Sequence, residues 1–392
     1  MDEYSKQEQG RGASVGAVHP QLAKFDTPFT TVSGAVLPQW ELCFETYGSL
    51  NAERSNAVLV CHALSGSQHA AGVQHDNPNN VGWWDNIIGP GKPLDTDRFF
   101  IVSSNNLGGC HGSTGPTHPH PEDGKAYGSR FPVMTVEDWV HSQKKLAEQL
   151  GIDRFAAIVG GSLGGMQALR WAIDYPEAIG AAVIIAASAR LTALNIAFND
   201  IARSAIIGDA NFYDGNFYQH NALPTSGLQV ARMLGHVTYL TDFLMGKKFG
   251  RTTHANSDRN NSQAVQFEVE SYLRYQGTKF STRFDANTYL LMTRALDYFD
   301  PAADCNGDLV KALAPATAQF LLLSFSSDWR FPPEHSRHIV QALLAGNKNV
   351  SYLEIEADTG HDSFLLTNAQ YHNAIATFMN HLTLDAPNKC NA

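Results

Sequence analysis

Paired cysteines are missing from this sequence: its five thiols, Cys43, Cys61, Cys110, Cys305 and Cys390, are odd in number, scattered, and never form a CxxC. A disulfide framework is therefore not expected, and the thiols read as buried or idle groups in a reducing compartment. Long apolar runs are missing too. No stretch approaches the roughly 18 residues that a membrane-spanning helix needs, and residues 1–15 are polar and charged, without the apolar block of a secretory signal. Positive charge is in short supply: 28 Lys and Arg face 38 Asp and Glu, for a net charge of −10. That balance argues against nucleic acid or an acidic membrane as partner, while leaving room for a local basic pocket. Internal repeats and low-complexity tracts are absent as well. What remains is 43% hydrophobic and 17% charged, the make-up of a soluble globular protein with a sizeable core. A cytoplasmic location is the expectation.

The 392 residues exceed one typical domain, but a single core with a large insertion accounts for them. Residues 1–24 are polar and expected to be mobile. Strand-like runs follow at 29–32, 42–47, 57–61, 99–102, 155–159, 181–186, 320–324 and 350–355. Helical patterns separate several of them. One opens at Thr135, a candidate cap with Asp138 three positions on, and places Val136, Trp139, Val140, Leu146 and Leu150 on one side. Strands alternating with helices predict a mostly parallel sheet flanked by helices, with ligands beyond the carboxyl ends of the strands. Residues 191–313 read differently, as helix-compatible stretches at 196–207, 228–245, 265–275 and 286–299. They are expected to form a helical lid inserted between late strands of a core made of residues 25–190 and 314–385.

The run Gly160-Gly161-Ser162-Leu163-Gly164 is a G-x-S-x-G placed directly after an apolar strand and before a helical pattern. A sharp strand-to-helix turn projects the serine hydroxyl above a sheet, and bulky neighbours would collide there. A phosphate-binding loop is the competing reading, but the run has neither G-K-[ST] nor G-x-G-x-x-G. A serine nucleophile needs a base oriented by a carboxylate, and on an α/β-hydrolase fold the chain order is Ser, acid, His. Asp328, after the run at 320–324, and His361, after the run at 350–355, fit that order, with His335 and His338 as runners-up. The developing oxyanion calls for two backbone N–H donors. Leu163, next to the nucleophile, is one, and Leu64 in His62-Ala-Leu-Ser-Gly66 is the candidate for the other. His62 precedes the serine and is expected to order that loop.

Several blocks carry a resemblance: His62-Ala-Leu-Ser-Gly66, Gly82-Trp-Trp-Asp-Asn86, Gly89-Pro-Gly-Lys-Pro-Leu-Asp95, Asn105-Asn-Leu-Gly-Gly-Cys110, Gly160-Gly-Ser-Leu-Gly-Gly-Met-Gln167, Phe284-Asp-Ala-Asn-Thr-Tyr289 and Gly360-His-Asp362. Together they resemble the homoserine O-acyltransferases of methionine biosynthesis, over residues 17–382. The resemblance implies an α/β-hydrolase core with a helical lid, a homodimer formed through that lid, and no metal or cofactor. It implies a ping-pong transfer from acyl-CoA through Ser162 to the hydroxyl of L-homoserine, with His361 as base and acid and Asp328 as its orienting carboxylate. Arg232 would hold the homoserine carboxylate and Asp362 its amine, one cation and one anion for a zwitterion.

Arg330, two residues after Asp328, resembles the succinyl-transferring branch, whereas acetyl-transferring members tend to be apolar there. A succinyl group brings a second carboxylate whose burial needs a counter-charge. Succinyl-CoA is thus the expected donor and acetyl-CoA the alternative. A serine esterase or thioesterase would use the same triad, and a non-catalytic relative would not keep it intact.

Overall fold

The computed structural model describes residues 13–258 and 260–384. A central sheet is built from β1 Gln21–Phe25, β2 Trp40–Tyr47, β3 Ala57–Cys61, β4 Phe100–Ser104, β5 Phe155–Gly161, β6 Ile179–Ile185, β7 Gln319–Phe325 and β8 Val350–Ile355. Across the sheet the order is β8-β7-β6-β5-β3-β4-β2-β1. The strands β3 to β8 are all parallel, whereas β2 runs antiparallel to both β4 and β1. The helices are α1 Val136–Gln149, α2 Leu163–Asp174, α3 Ala193–Ile207, α4 Thr225–Tyr239, α5 Asp242–Lys248, α6 Glu268–Ser281, α7 Ala286–Tyr298, α8 Leu309–Ala312, α9 Pro333–Ala345 and α10 Ala369–Asn380.

Strand periodicity explains the layering. In β6, Ala182 and Ile184 join Trp139, Leu169, Trp171 and Leu343 on the face covered by α1, α2 and α9. Their alternate neighbours Ala181, Val183 and Ile185 meet Tyr371, Ile375 and Met379 of α10 on the other face. A strand buried on both faces must be apolar at every position, which is why the central strands read as runs rather than as alternations. Helix α1 starts where expected: Thr135 Oγ1 accepts the Asp138 N–H at 3.3 Å, and Asp138 Oδ2 accepts the Thr135 N–H at 2.8 Å.

Helices α3 to α8 all lie between β6 and β7; Ile206, Phe217, Leu228, Phe280 and Tyr289 gather in a cluster of their own, while Leu296 of α7 and Leu309 of α8 pack into the main core. The helical stretch expected at 228–245 is two helices. Leu240 is extended, and Thr241 caps α5 by accepting the Leu244 N–H at 3.0 Å.

Two further expectations change. Of the stretch expected to be mobile, residues 1–12 lie outside the described residues, and residues 21–24 instead belong to a strand hydrogen-bonded to β2 as the edge of the sheet. The run at 29–32 is a short strand, Phe29–Thr30, paired with Val36–Leu37 outside the main sheet. Cys43, Cys61, Cys110 and Cys305 are free thiols, and Cys390 is outside the described residues. Among the described residues no helix is long and apolar enough to cross a membrane.

Candidate active site

Ser162 occupies the turn between β5 and α2 with φ 57° and ψ −122°, a conformation that L residues adopt only when the surroundings enforce it. Here they do. The Ser162 N–H donates to Ile185 O at 2.9 Å, and Ser162 O accepts from Gly165 and Met166 at 2.9 and 3.2 Å. The turn is also pressed against β3: a Cβ on Gly164 would sit 2.1 Å from Cys61 O, so only glycine lets the two backbones approach.

His361 lies in a short helical turn, Gly360–Leu365, just after β8. Its Nε2 is 2.9 Å from Ser162 Oγ, and its Nδ1 is 2.7 Å from Asp328 Oδ2. The second oxygen, Asp328 Oδ1, accepts the N–H groups of Arg330 and Phe331 at 3.0 and 2.8 Å. An acceptor-only carboxylate at Nδ1 requires Nδ1 to carry the proton, which leaves Nε2 as acceptor for the serine hydroxyl. The Gly360 N–H donates to Ser327 Oγ at 3.0 Å and ties the two loops together. Phe331, Phe364 and Tyr239 surround the imidazole at ring-centroid distances of 5.0, 5.5 and 5.9 Å. All three triad side chains are buried.

The start of α2 and the end of β3 converge beside Ser162. The Leu163 amide is in the first turn of α2, where no intrahelical acceptor exists, and Leu64 sits in a turn closed by the Gly66 N–H to Ala63 O at 2.9 Å. His62 orders this loop. Its Nε2 accepts the Asn106 N–H at 3.0 Å, so Nδ1 carries the proton that it gives to Ala63 O at 2.7 Å. Burial pushes its pKa down to about 4, which keeps the ring neutral.

Arg232 projects from α4 toward the same space. Its Nη1 is 3.4 Å from Ser65 Oγ, its guanidinium lies 4.8 Å over the Phe280 ring, and its buried Nε has no partner. Asp362 follows the base directly. Desolvation pushes its carboxyl up, against the pull of His361 and Arg232. Among the described residues these two opposite charges feel one another without forming an ion pair.

Arg330 is buried. It donates from Nη2 to Asn199 Oδ1 at 3.0 Å and from Nη1 to Thr238 Oγ1 at 3.3 Å. Among the described residues no carboxylate oxygen pairs with it.

Comparison with known proteins places this geometry. The profile described as alpha/beta hydrolase fold matches residues 56–367. A homoserine O-succinyltransferase of Dechloromonas aromatica is 58% identical over 373 residues, 95% of this chain and 100% of that protein. The chain belongs to the homoserine O-acyltransferase family of α/β-hydrolases. Among solved structures, a homoserine O-acetyltransferase from Bacillus anthracis matches with TM-score 0.87 and 26% identity, over 94% of this chain and 99% of that one. Esterase E22 matches with TM-score 0.85 and 31% identity, over 92% and 100%.

Within this family site, the structure joins Ser162, His361 and Asp328 in one hydrogen-bonded line and sets Leu163, Leu64, Arg232, Asp362 and Arg330 around it. Among the described residues the runners-up make no hydrogen bond to that line: His335 and His338 are on α9, where the His335 ring meets Phe331 edge-on at 6.1 Å. Sequence reasoning missed Asn199, Thr238 and Tyr239. All three come from α3 and α4, and nothing in a helical pattern tells which polar residue will face a loop 92 to 131 residues further along the chain, as Thr238 and Asn199 face Arg330.

Proposed function

We propose that this chain is a homoserine O-succinyltransferase acting through a succinyl-Ser162 intermediate. Ser162 Oγ attacks the thioester carbonyl of succinyl-CoA while His361 Nε2 takes its proton. The Leu163 and Leu64 amides hold the oxyanion, a contribution on the order of 3 kcal/mol per donor. Collapse expels CoA, whose sulfur receives that proton from His361. Homoserine then binds, with Arg232 on its carboxylate and Asp362 on its amine. His361 removes the proton of its hydroxyl, the oxygen attacks the acyl carbon, and Ser162 recovers the proton as O-succinylhomoserine leaves. Acyl-CoA is a co-substrate in this cycle, which calls on no metal or cofactor. The helical insertion serves as a lid that keeps water from the acyl-enzyme.

One observation carries the succinyl assignment: Arg330 is a buried guanidinium whose partners are all neutral. A donor with a distal carboxylate matches it, whereas an acetyl methyl leaves it uncompensated. The likeness to esterase E22 favours a second reading, in which water takes the acyl group. Following CoA release from succinyl-CoA separates the two. The transferase reading expects release to accelerate strongly when homoserine is added, and equal rates with and without homoserine would establish a hydrolase.

A further inference from the structure

We propose that Asn199 is a positioning residue for Arg330: it accepts the guanidinium's hydrogen bond without bringing a charge, and so keeps that cation open for the distal carboxylate of the donor. This rests on the succinyl reading above.

Arg330 is only 7% exposed, a depth at which a cation normally has a carboxylate partner. A carboxylate is close by, but it is held off. Asp297 is reached through Asn199, whose Nδ2 donates to Asp297 Oδ1 at 2.8 Å. The other Asp297 oxygen is ion-paired with Arg203 Nη1 at 2.8 Å and Arg294 Nη1 at 3.7 Å. The line therefore runs guanidinium, amide, carboxylate, guanidinium. The amide has one permissible orientation, because its oxygen must face Arg330 and its nitrogen must face Asp297. Asp297 is thus neutralised by Arg203, and Arg330 is hydrogen-bonded but not neutralised. One turn earlier on α3, Asn195 Nδ2 donates to the Arg330 carbonyl at 2.9 Å, so a single helix face fixes both its main chain and its side chain.

The open cation is beside the chemistry. Its own N–H bonds to Asp328, and its guanidinium lies 5.6 Å from the ring of Tyr239, which itself stands 5.9 Å from the His361 ring. A carboxylate at position 199 would neutralise Arg330 within the protein. The donor's carboxylate would then be desolvated without gaining a partner, while a donor lacking that carboxylate would lose nothing.

The test is the ratio of kcat/KM for succinyl-CoA to that for acetyl-CoA, measured for wild type, Asn199→Asp, Arg330→Leu and the double variant. Asn199→Asp is expected to lower the ratio about tenfold or more, and to add nothing in the Arg330→Leu background. Thr238→Val, nearly isosteric, removes the other acceptor and is expected to lower the ratio less, which supplies a reading if Asn199→Asp does not fold. A ratio untouched by Asn199→Asp and Thr238→Val, or a drop of equal size without Arg330, overturns the inference alone. A wild type without preference for succinyl-CoA, or a preference that survives Arg330→Leu, overturns the succinyl reading and the inference with it.

Discussion

Ser162 does two things at once: it supplies a hydroxyl and it accepts a backbone conformation that suits glycine better. At φ 57° the strain is of the order of 1–3 kcal/mol. Ser162→Gly is therefore expected to melt at a higher temperature than Ser162→Ala, with both variants unable to form the acyl-enzyme; differential scanning calorimetry reads the difference, and equal melting temperatures would show that the turn stores no strain. Asp328 acts through the proton on His361 Nδ1. Asp328→Asn keeps the shape but can present an amide N–H to that nitrogen, which favours the wrong tautomer. Its kcat should fall by roughly 10⁴, as for other hydrolytic triads, with an unfolding midpoint close to wild type.

At the scale of elements, the loop after β3 is organised by histidines of opposite character. His62 is neutral, with a folded pKa of about 4 against an ordinary value of 6.5. Between those two values the unfolded chain binds a proton that the folded chain refuses, so stability falls as pH drops through that window, by up to about 1.4 kcal/mol per pH unit. His69 bonds Glu45 at 2.9 Å through Nδ1 and Asn80 O at 3.0 Å through Nε2, and its pKa is raised. Its contribution is complete at low pH and is lost as pH rises through its folded pKa. Urea unfolding at pH 5 and 7 is expected to show a shallower acid slope for His62→Gln than for wild type, and an unchanged slope would mean that His62 does not carry the effect. The parallel strands and the G-x-S-x-G turn were legible because their chemistry is local: apolar runs, glycines where a Cβ collides, an N-cap three residues before its partner. Edge strand β1 was not legible, since Gln21 and Lys24 look like solvent-facing loop until β2 supplies their backbone partners. The break at Leu240 was hidden for a similar reason, because Thr241 looks like any polar helix residue until its Oγ1 donates to Asp358 O at 2.7 Å.

For the whole molecule, the helical insertion carries apolar side chains with no cover. Leu194 and Ile201 on α3, and Val230 and Val237 on α4, repeat at a seven-residue spacing and are exposed. A homodimer formed through the insertion would bury them. Sedimentation velocity is expected to show a dimer that Val230→Glu with Val237→Glu converts to a monomer, and a wild-type monomer would refute that assembly. Acyl transfer itself depends on the whole architecture, because the parallel sheet delivers Ser162, Asp328 and His361 from three strand ends. Mass spectrometry of the intact enzyme mixed with succinyl-CoA tests this most directly. A single succinyl adduct on Ser162, stable in water and discharged when homoserine is added, is the predicted result. No adduct on Ser162, or an adduct whose decay ignores homoserine, would contradict the account.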